Sequence, residues 1–253
     1  MSEAYKNDFQ IFSADQIESL RKGGKILHDT LEHVAGLVTP GVTTGELDVA
    51  AEKFIRDRGG EPGFKGYRNY PATLCTSVNE ICVHGLPSED SLKEGDIVGV
   101  DCGVFFDGLY TDACITIAVG EISHSAQNLM MVTKKALKEG IKQVRAGAHV
   151  GDVSSAIHKT LKSSGFDAMR QLTGHGLGDT LHQFPEIFNF GNAGTGPVFP
   201  ENTIVAIEPI STVSSTEVRE SKDGWSLAVK DGGLSAHYEH TVIVLSDGCE
   251  VLT

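Results

Sequence analysis

Four acidic residues and one histidine stand among apolar neighbours, where an isolated charge is expensive. Asp101 and Asp112 belong to VGVDCGVFFDGLYTDACITIAV (98–119), two β-rich runs joined by Asp107-Gly108, a dipeptide suited to a two-residue hairpin turn. A turn at 107–108 sets Asp101 opposite Cys114. Asp112 then lies one diagonal step from Asp101 on the same face, about 7–8 Å away between backbones. Two carboxylates converging inside an apolar hairpin repel and lose hydration unless a counter-ion joins them. His175 sits between two glycines in TGHGLGDTLHQFPEI (173–187), where the backbone can bring an imidazole close to another group. His182 follows seven residues later. Glu208 ends the apolar run TIVAIEPI (203–210) just before a proline, and Glu239 sits in SAHYEHTVIV (235–244). Acids on buried strands need a partner, and these segments contain no lysine or arginine.

Four carboxylates and one imidazole form a hard, oxygen-rich donor set able to hold two divalent ions a few ångströms apart. Calcium fits poorly with the histidine and the lack of a contiguous ligand loop. Structural zinc usually takes cysteine ligands, and Cys75, Cys82, Cys102, Cys114 and Cys249 have no such spacing.

Helices must frame these strands. Ser13 with Gln16 has capping-box spacing, and Ile17, Leu20, Ile26, Leu27, Leu31, Val34 and Val38 recur near helical period before Pro40-Gly41. Thr43 with Glu46 opens a second helix through Leu47, Ala51 and Ile55 to Gly59-Gly60. Further helices are expected over about 124–144 and 150–164, and β segments over 73–78, 97–105, 110–119, 203–212, 225–230 and 237–245. Residues 40–60 align with 146–166 at an offset of 106, matching Gly41 to Gly147, Gly45 to Gly151, Glu46 to Asp152 and Gly59 to Gly165. Two helix–helix–sheet halves about one pseudo-twofold axis follow, as one compact unit. The same offset carries Asp101 to the residue beside Glu208, so each half supplies an acidic strand to the axis.

Composition bounds the rest. The chain has 253 residues, 40% hydrophobic and 22% charged, with net charge −13, which describes a globular protein rather than a disordered one. The acidic balance argues against nucleic acid as a specific partner. Lys134, Lys135, Lys138 and Lys142, at helical spacing, read as a solvated helix face. An odd number of cysteines, most of them in apolar runs, suits reduced thiols in the cytoplasm. Neither a secretory leader nor a membrane span is expected.

The order Asp101, Asp112, GHG with His175, Glu208-Pro209 and YEHT with Glu239 resembles the metal-ligand signature of the type I methionine aminopeptidases. The resemblance runs from about residue 13 to 250 and includes TPGVTTGELD (39–48) and SVNEICVHGLP (77–87). It implies an α/β (α+β) pita-bread fold, with a central curved antiparallel sheet flanked by helices, in a single catalytic domain over 1–253 behind an N-terminal arm of residues 1–12. It also implies two divalent ions (Co, Mn, Fe or Zn) that activate a water. In that pattern Asp112 and Glu239 bridge the ions, Asp101 holds one of them, and His175 with Glu208 holds the other. Glu208 would also accept the proton of the attacking water. His182 would serve the oxyanion and His84 the amide beyond the scissile bond. Phe64, Tyr67, Tyr70, Cys75, Leu181 and Trp225 would form a pocket whose aromatic and sulfur surfaces suit a methionine side chain.

The implied activity is removal of the initiator methionine from nascent N-termini, at the ribosome, by a monomer that engages no membrane. Two positions depart from the family pattern: Gln183 stands where a glutamate is usual, and His237 where a glutamine is usual. The alternatives are a proline-specific aminopeptidase of the same fold, which normally has a large N-terminal domain, and a metal-free binding module, which predicts lost ligands and a basic surface.

Overall fold

A computed structural model describes residues 8–253. Of the N-terminal arm expected over 1–12, residues 1–7 lie outside those described. Phe9 packs edge-on against Phe184 at 5.0 Å, and Phe12 is buried with its N–H donating to the Asn202 carbonyl at 2.9 Å.

Four α-helices form among the described residues: α1 Ala14–Ala35, α2 Thr44–Arg56, α3 His124–Ile141 and α4 Val150–Ser163. The Ser13/Gln16 and Thr43/Glu46 capping boxes are both made, each cap side chain being worth about 1 kcal/mol of helix stability. Helix α1 stops at Ala35, three residues before Val38. The Gly36 N–H turns back to the Glu32 carbonyl there, and the Leu37 N–H reaches only Val34, so the last turn tightens. Lys134, Lys135, Lys138 and Lys142 are exposed, as a solvated face requires.

The two halves repeat in detail. The Thr43 N–H donates to Glu46 at 2.8 Å, and the His149 N–H to Asp152 at 2.9 Å. The Gly45 N–H meets the Ser88 carbonyl at 2.8 Å, while that of Gly151 meets Thr195 at 2.9 Å. Helices α1 and α2 cover one apolar cluster with Val98, Val100, Cys102 and Val104. Helices α3 and α4 cover the other, with Val205, Ile207, Val242 and Val244. Between them runs a curled antiparallel sheet of nine strands. Its main path is Glu61–Pro62, Ile97–Phe106, Leu109–Ala118, Glu239–Leu245, Ile204–Ile207, Thr173–Gly176 and Gln183–Phe188.

Two segments expected as single strands are each broken. The run over 203–212 splits at Glu208-Pro209 into Ile204–Ile207 and Ile210–Thr212, and the run over 237–245 splits at Tyr238 into Ser235–His237 and Glu239–Leu245. Pro209 has no N–H to give a ladder. Both chains leave the large sheet at the same corner, since His240 pairs with Ile207 on one side of the break and Ile210 with His237 on the other, in a second sheet. Short strands at Ile81–Val83, Val218–Glu220 and Gly248–Val251 carry no alternation long enough to mark them in sequence. The five cysteines are unpaired, and all but Cys249 are buried.

Candidate metal centre

The hairpin forms with Asp101 opposite Cys114 and Gly103 opposite Asp112, so both carboxylates leave one face. Cys114 pairs on its other side with Glu239. Asp101, Cys114 and Glu239 therefore form one row across three strands, with Cys75 beyond Asp101. The ladder that pairs His240 with Ile207, carried one residue further, brings Glu208 to Glu239 at the corner where the chains part. Glu208 is oriented there by Asn189, whose amide donates to the Glu208 carbonyl at 3.0 Å.

His175 reaches the same point from Thr173–Gly176, paired with Ala206. Both flanking glycines are needed for this approach. A Cβ on Gly174 would lie 2.5 Å from the Ala206 carbonyl oxygen, and one on Gly176 would lie 2.1 Å from that of Phe184. His175 Nδ1 lies 2.9 Å from the Gly176 carbonyl oxygen, which fixes the proton on Nδ1 and leaves the Nε2 lone pair facing the carboxylates. Nε2 is 3.4 Å from Glu208 Oε1 and 3.9 Å from Asp112 Oδ2. Donor atoms of Asp112, His175 and Glu239 all lie within 4.8 Å of one another.

Electrostatics there are severe. Burial raises all four carboxyls above their usual range. Asp101 rises to about 7, and Asp112, Glu208 and Glu239 are also raised, with neighbouring carboxylates adding to the burial. His175 is lowered to about 4, chiefly by burial. Asp101 Oδ1, Asp112 Oδ1, Glu239 Oε1 and His237 Nε2 are buried without a hydrogen-bond partner. Orphaned buried polar atoms are costly. Converging carboxylate oxygens and the His237 nitrogen without partners, with His175 Nε2 beside them, fit divalent cations, which would satisfy them together.

All thirteen residues singled out in the sequence line one cavity of about 180 Å³. His182 packs its ring 4.3 Å from that of His175, and its Nδ1 lies 3.3 Å from the Tyr67 hydroxyl. Its pKa is lowered to about 2 by burial and by the facing His175, His84 and Arg68, so it is neutral at ordinary pH. His84 is exposed at the mouth in a left-handed conformation, φ 59°, which is strained for a residue other than glycine. Phe64, Tyr70, Cys75 and Leu181 form a buried apolar cluster, with Tyr67 and Trp225 against it. The Tyr70 and Trp225 rings meet edge to face at 5.0 Å, and the Tyr70 hydroxyl donates to the Leu74 carbonyl at 2.9 Å.

Val83, Arg68 and His237 also line the cavity, and none of them was given a role from sequence. Strand alternation from Glu239 puts His237 on the same face, which was the available signal. Arg68 has left-handed backbone, φ 48°, in a short 3-10 turn at Tyr67–Asn69 that no periodicity announces.

Residues 18–246 match the profile of metallopeptidase family M24. The chain is 43% identical to the methionine aminopeptidase of Clostridium perfringens over 239 residues, covering 94% of this chain and 96% of that one. It is 39% identical to that of Aquifex aeolicus over 253 residues, covering 96% and 98%. The crystal structure of methionine aminopeptidase from Thermotoga maritima superposes with a TM-score of 0.96 at 39% identity, over 97% of this chain and 99% of that one. Prolidase from Pyrococcus furiosus shares the fold at 21% identity, with a TM-score of 0.79 and 65% of its length covered. The mixed α/β architecture is the pita-bread fold. On this fold, this donor cluster and these identities, the chain belongs to metallopeptidase family M24, among its methionine aminopeptidases.

Proposed function

We propose that the chain removes the initiator methionine from the N-termini of nascent proteins and peptides whose second residue is small. One observation supports it above the others. The cluster Asp112, His175 and Glu239 opens into the same cavity as the apolar recess of Phe64, Tyr70, Cys75, Leu181 and Trp225. A polarizable thioether chain is matched to aromatic and thiol surfaces, and its carbonyl would then lie beside the acidic cluster.

In this reading Asp101, Asp112, His175, Glu208 and Glu239 would hold two divalent ions, with Asp112 and Glu239 serving both, Asp101 one of them, and His175 with Glu208 the other. Cobalt, manganese, iron and zinc all suit such donors. Bound there, the ions supply Lewis acidity, lowering the pKa of a water toward neutrality and polarising the carbonyl. Glu208 would take the proton of the attacking water and return it to the leaving amine. His182, neutral and held through Nδ1 near Tyr67, donates to the developing oxyanion from Nε2. His84, at the mouth, contacts the amide nitrogen beyond the scissile bond.

The whole chain acts as one catalytic domain, as a monomer, on nascent N-termini at the ribosome, and binds no specific nucleic acid. Unpaired cysteines support a cytoplasmic setting. No helix among the described residues is long and apolar enough to cross a membrane.

Metal-reconstituted protein incubated with Met-Ala-Ser and Ala-Pro-Ala peptides, scored for the released amino acid, tests the reading. Methionine should be released from the first and nothing from the second. Release of alanine from Ala-Pro-Ala with Met-Ala-Ser intact would instead favour a proline-specific aminopeptidase.

A further inference from the structure

His237 belongs to Ser235–His237, the strand that leaves for the second sheet just before Glu239. Its backbone is fixed on both sides. The His237 N–H donates to Thr116 Oγ1 at 3.0 Å, and the Thr116 hydroxyl donates to the His237 carbonyl at 2.7 Å. Only 4% of the residue is exposed, and its ring enters the cavity. Nε2 is 3.6 Å from Glu208 Oε2 and 3.8 Å from Glu239 Oε2, and it is buried without a hydrogen-bond partner.

Those separations are too long for N–H···O hydrogen bonds. They are ordinary for donor atoms sharing one ion, because ligands about 2.0–2.2 Å from a metal lie about 3–4 Å from each other. His175 shows the same spacing on the opposite side of Glu208, with Nε2 3.4 Å from Oε1. Glu208 therefore stands between two imidazole nitrogens, one facing each carboxylate oxygen.

We infer that His237 is a further ligand of the metal centre, binding through Nε2 beside Glu208 and Glu239, so that the centre carries two imidazoles rather than one. The inference rests on the metal-centre reading above. A second nitrogen donor biases the site toward iron, cobalt and zinc relative to manganese and magnesium, which prefer oxygen.

Long-range proton–nitrogen NMR of protein labelled with 15N-histidine tests it, because the ring-nitrogen shifts separate protonated, free and metal-bound positions. On titrating the metal-free protein with zinc, two imidazole Nε2 resonances should move to metal-bound positions. One of them should be missing in His237→Gln. Calorimetry should show zinc affinity falling at least about tenfold in that variant, with manganese affinity falling less. A wild-type spectrum in which only one imidazole becomes metal-bound, with the His237 Nε2 protonated throughout, overturns the inference and leaves the metal centre standing. The wild-type count decides this even if His237→Gln folds poorly. A spectrum in which no imidazole responds to zinc overturns the metal centre and this inference together.

Discussion

Thr241 Oγ1 donates to the Asp112 carbonyl at 2.7 Å and accepts from the Asp112 N–H at 2.9 Å. One hydroxyl thus supplies both hydrogen bonds that a paired residue would otherwise make. The ladder between Leu109–Ala118 and Glu239–Leu245 consists of only Glu239 with Cys114 and His240 with Ala113. Beyond them the strands diverge, and the Thr241 side chain fills the gap at the residue whose carboxylate belongs to the acidic cluster. Thr241 is fully buried, so no water replaces it. The spacing between Asp112 and Glu239 is therefore held by a side chain.

Thr241→Val should leave the Asp112 N–H and carbonyl buried and unpaired. The expected cost is about 1–3 kcal/mol, at roughly 2–4 °C of melting temperature per kcal/mol for a chain of this size. Thr241→Ser keeps the hydroxyl and should retain most of the stability. Melting curves of the two variants check this, and equal midpoints for Thr241→Val and wild type would show that the hydroxyl holds nothing.

Asp112→Asn and Glu239→Gln keep the shape of two proposed bridging groups while removing their charge. Each should bind less metal per chain and release no measurable methionine from Met-Ala-Ser. Elemental analysis after desalting, alongside the peptide assay, reads both. A variant retaining two ions and full activity would remove that residue from the ligand set.

Metal loading should release protons. With Asp101 raised to about 7 and Asp112, Glu208 and Glu239 raised above the usual carboxylate range, the metal-free cluster keeps protons at pH 7 that a cation must displace. For an acid whose folded pKa lies above its unfolded value, the native state binds more protons between the two values, so stability falls as pH rises there. Metal-free protein should therefore be less stable at pH 8 than at pH 6. Bound metal should reduce that slope, and metal affinity should rise over the same interval. Calorimetric titration in two buffers of different ionisation enthalpy counts the protons. Identical heats in both would mean the cluster is already ionised.

His182→Ala should separate chemistry from metal binding. Losing one oxyanion donor costs about 10²–10³-fold in kcat, while the ions, held by other residues, should remain at wild-type stoichiometry. Loss of an ion from this variant would mean that His182 is itself a ligand.

The acidic strands and the duplicated helices were legible in the sequence because each rests on a local rule. Asp107-Gly108 sets the register that aligns Asp101 and Asp112, and the capping residues at Thr43 and His149 fall at the repeat offset. The sheet switch at Glu208-Pro209 was not legible. A proline marks the break, but nothing local shows that Tyr238 breaks opposite it and sends Ile210–Thr212 and Ser235–His237 into another sheet. His237 is a separate case: alternation from Glu239 alone puts it on the face of the acids, while its pairing in the second sheet depends on that switch. The short 3-10 turn that brings Tyr67 to His182 likewise has no sequence period to reveal it.

The shape of the cavity mouth should decide which N-termini are cut. With methionine seated against Phe64, Tyr70, Cys75, Leu181 and Trp225, its carbonyl must come to the acidic cluster, and the second residue must then pass between that cluster and the mouth. His84 stands at the mouth on strained backbone, φ 59°, and Arg68 lines the cavity with φ 48°. Backbone held in such conformations is fixed by its surroundings, so both side chains are anchored at set points around the cavity. A branched or long second side chain would meet this wall before the carbonyl reached attack geometry, where a displacement of ~1 Å can cost about 10²-fold in rate. Peptides Met-Xaa-Ser with Gly, Ala, Ser, Cys, Thr, Pro or Val in second place should be processed, and those with Lys, Arg, Leu or Phe should not. Mass spectrometry of the digests over time reads every peptide at once, and equal rates for the Ala and Lys peptides would show that no wall constrains the second residue.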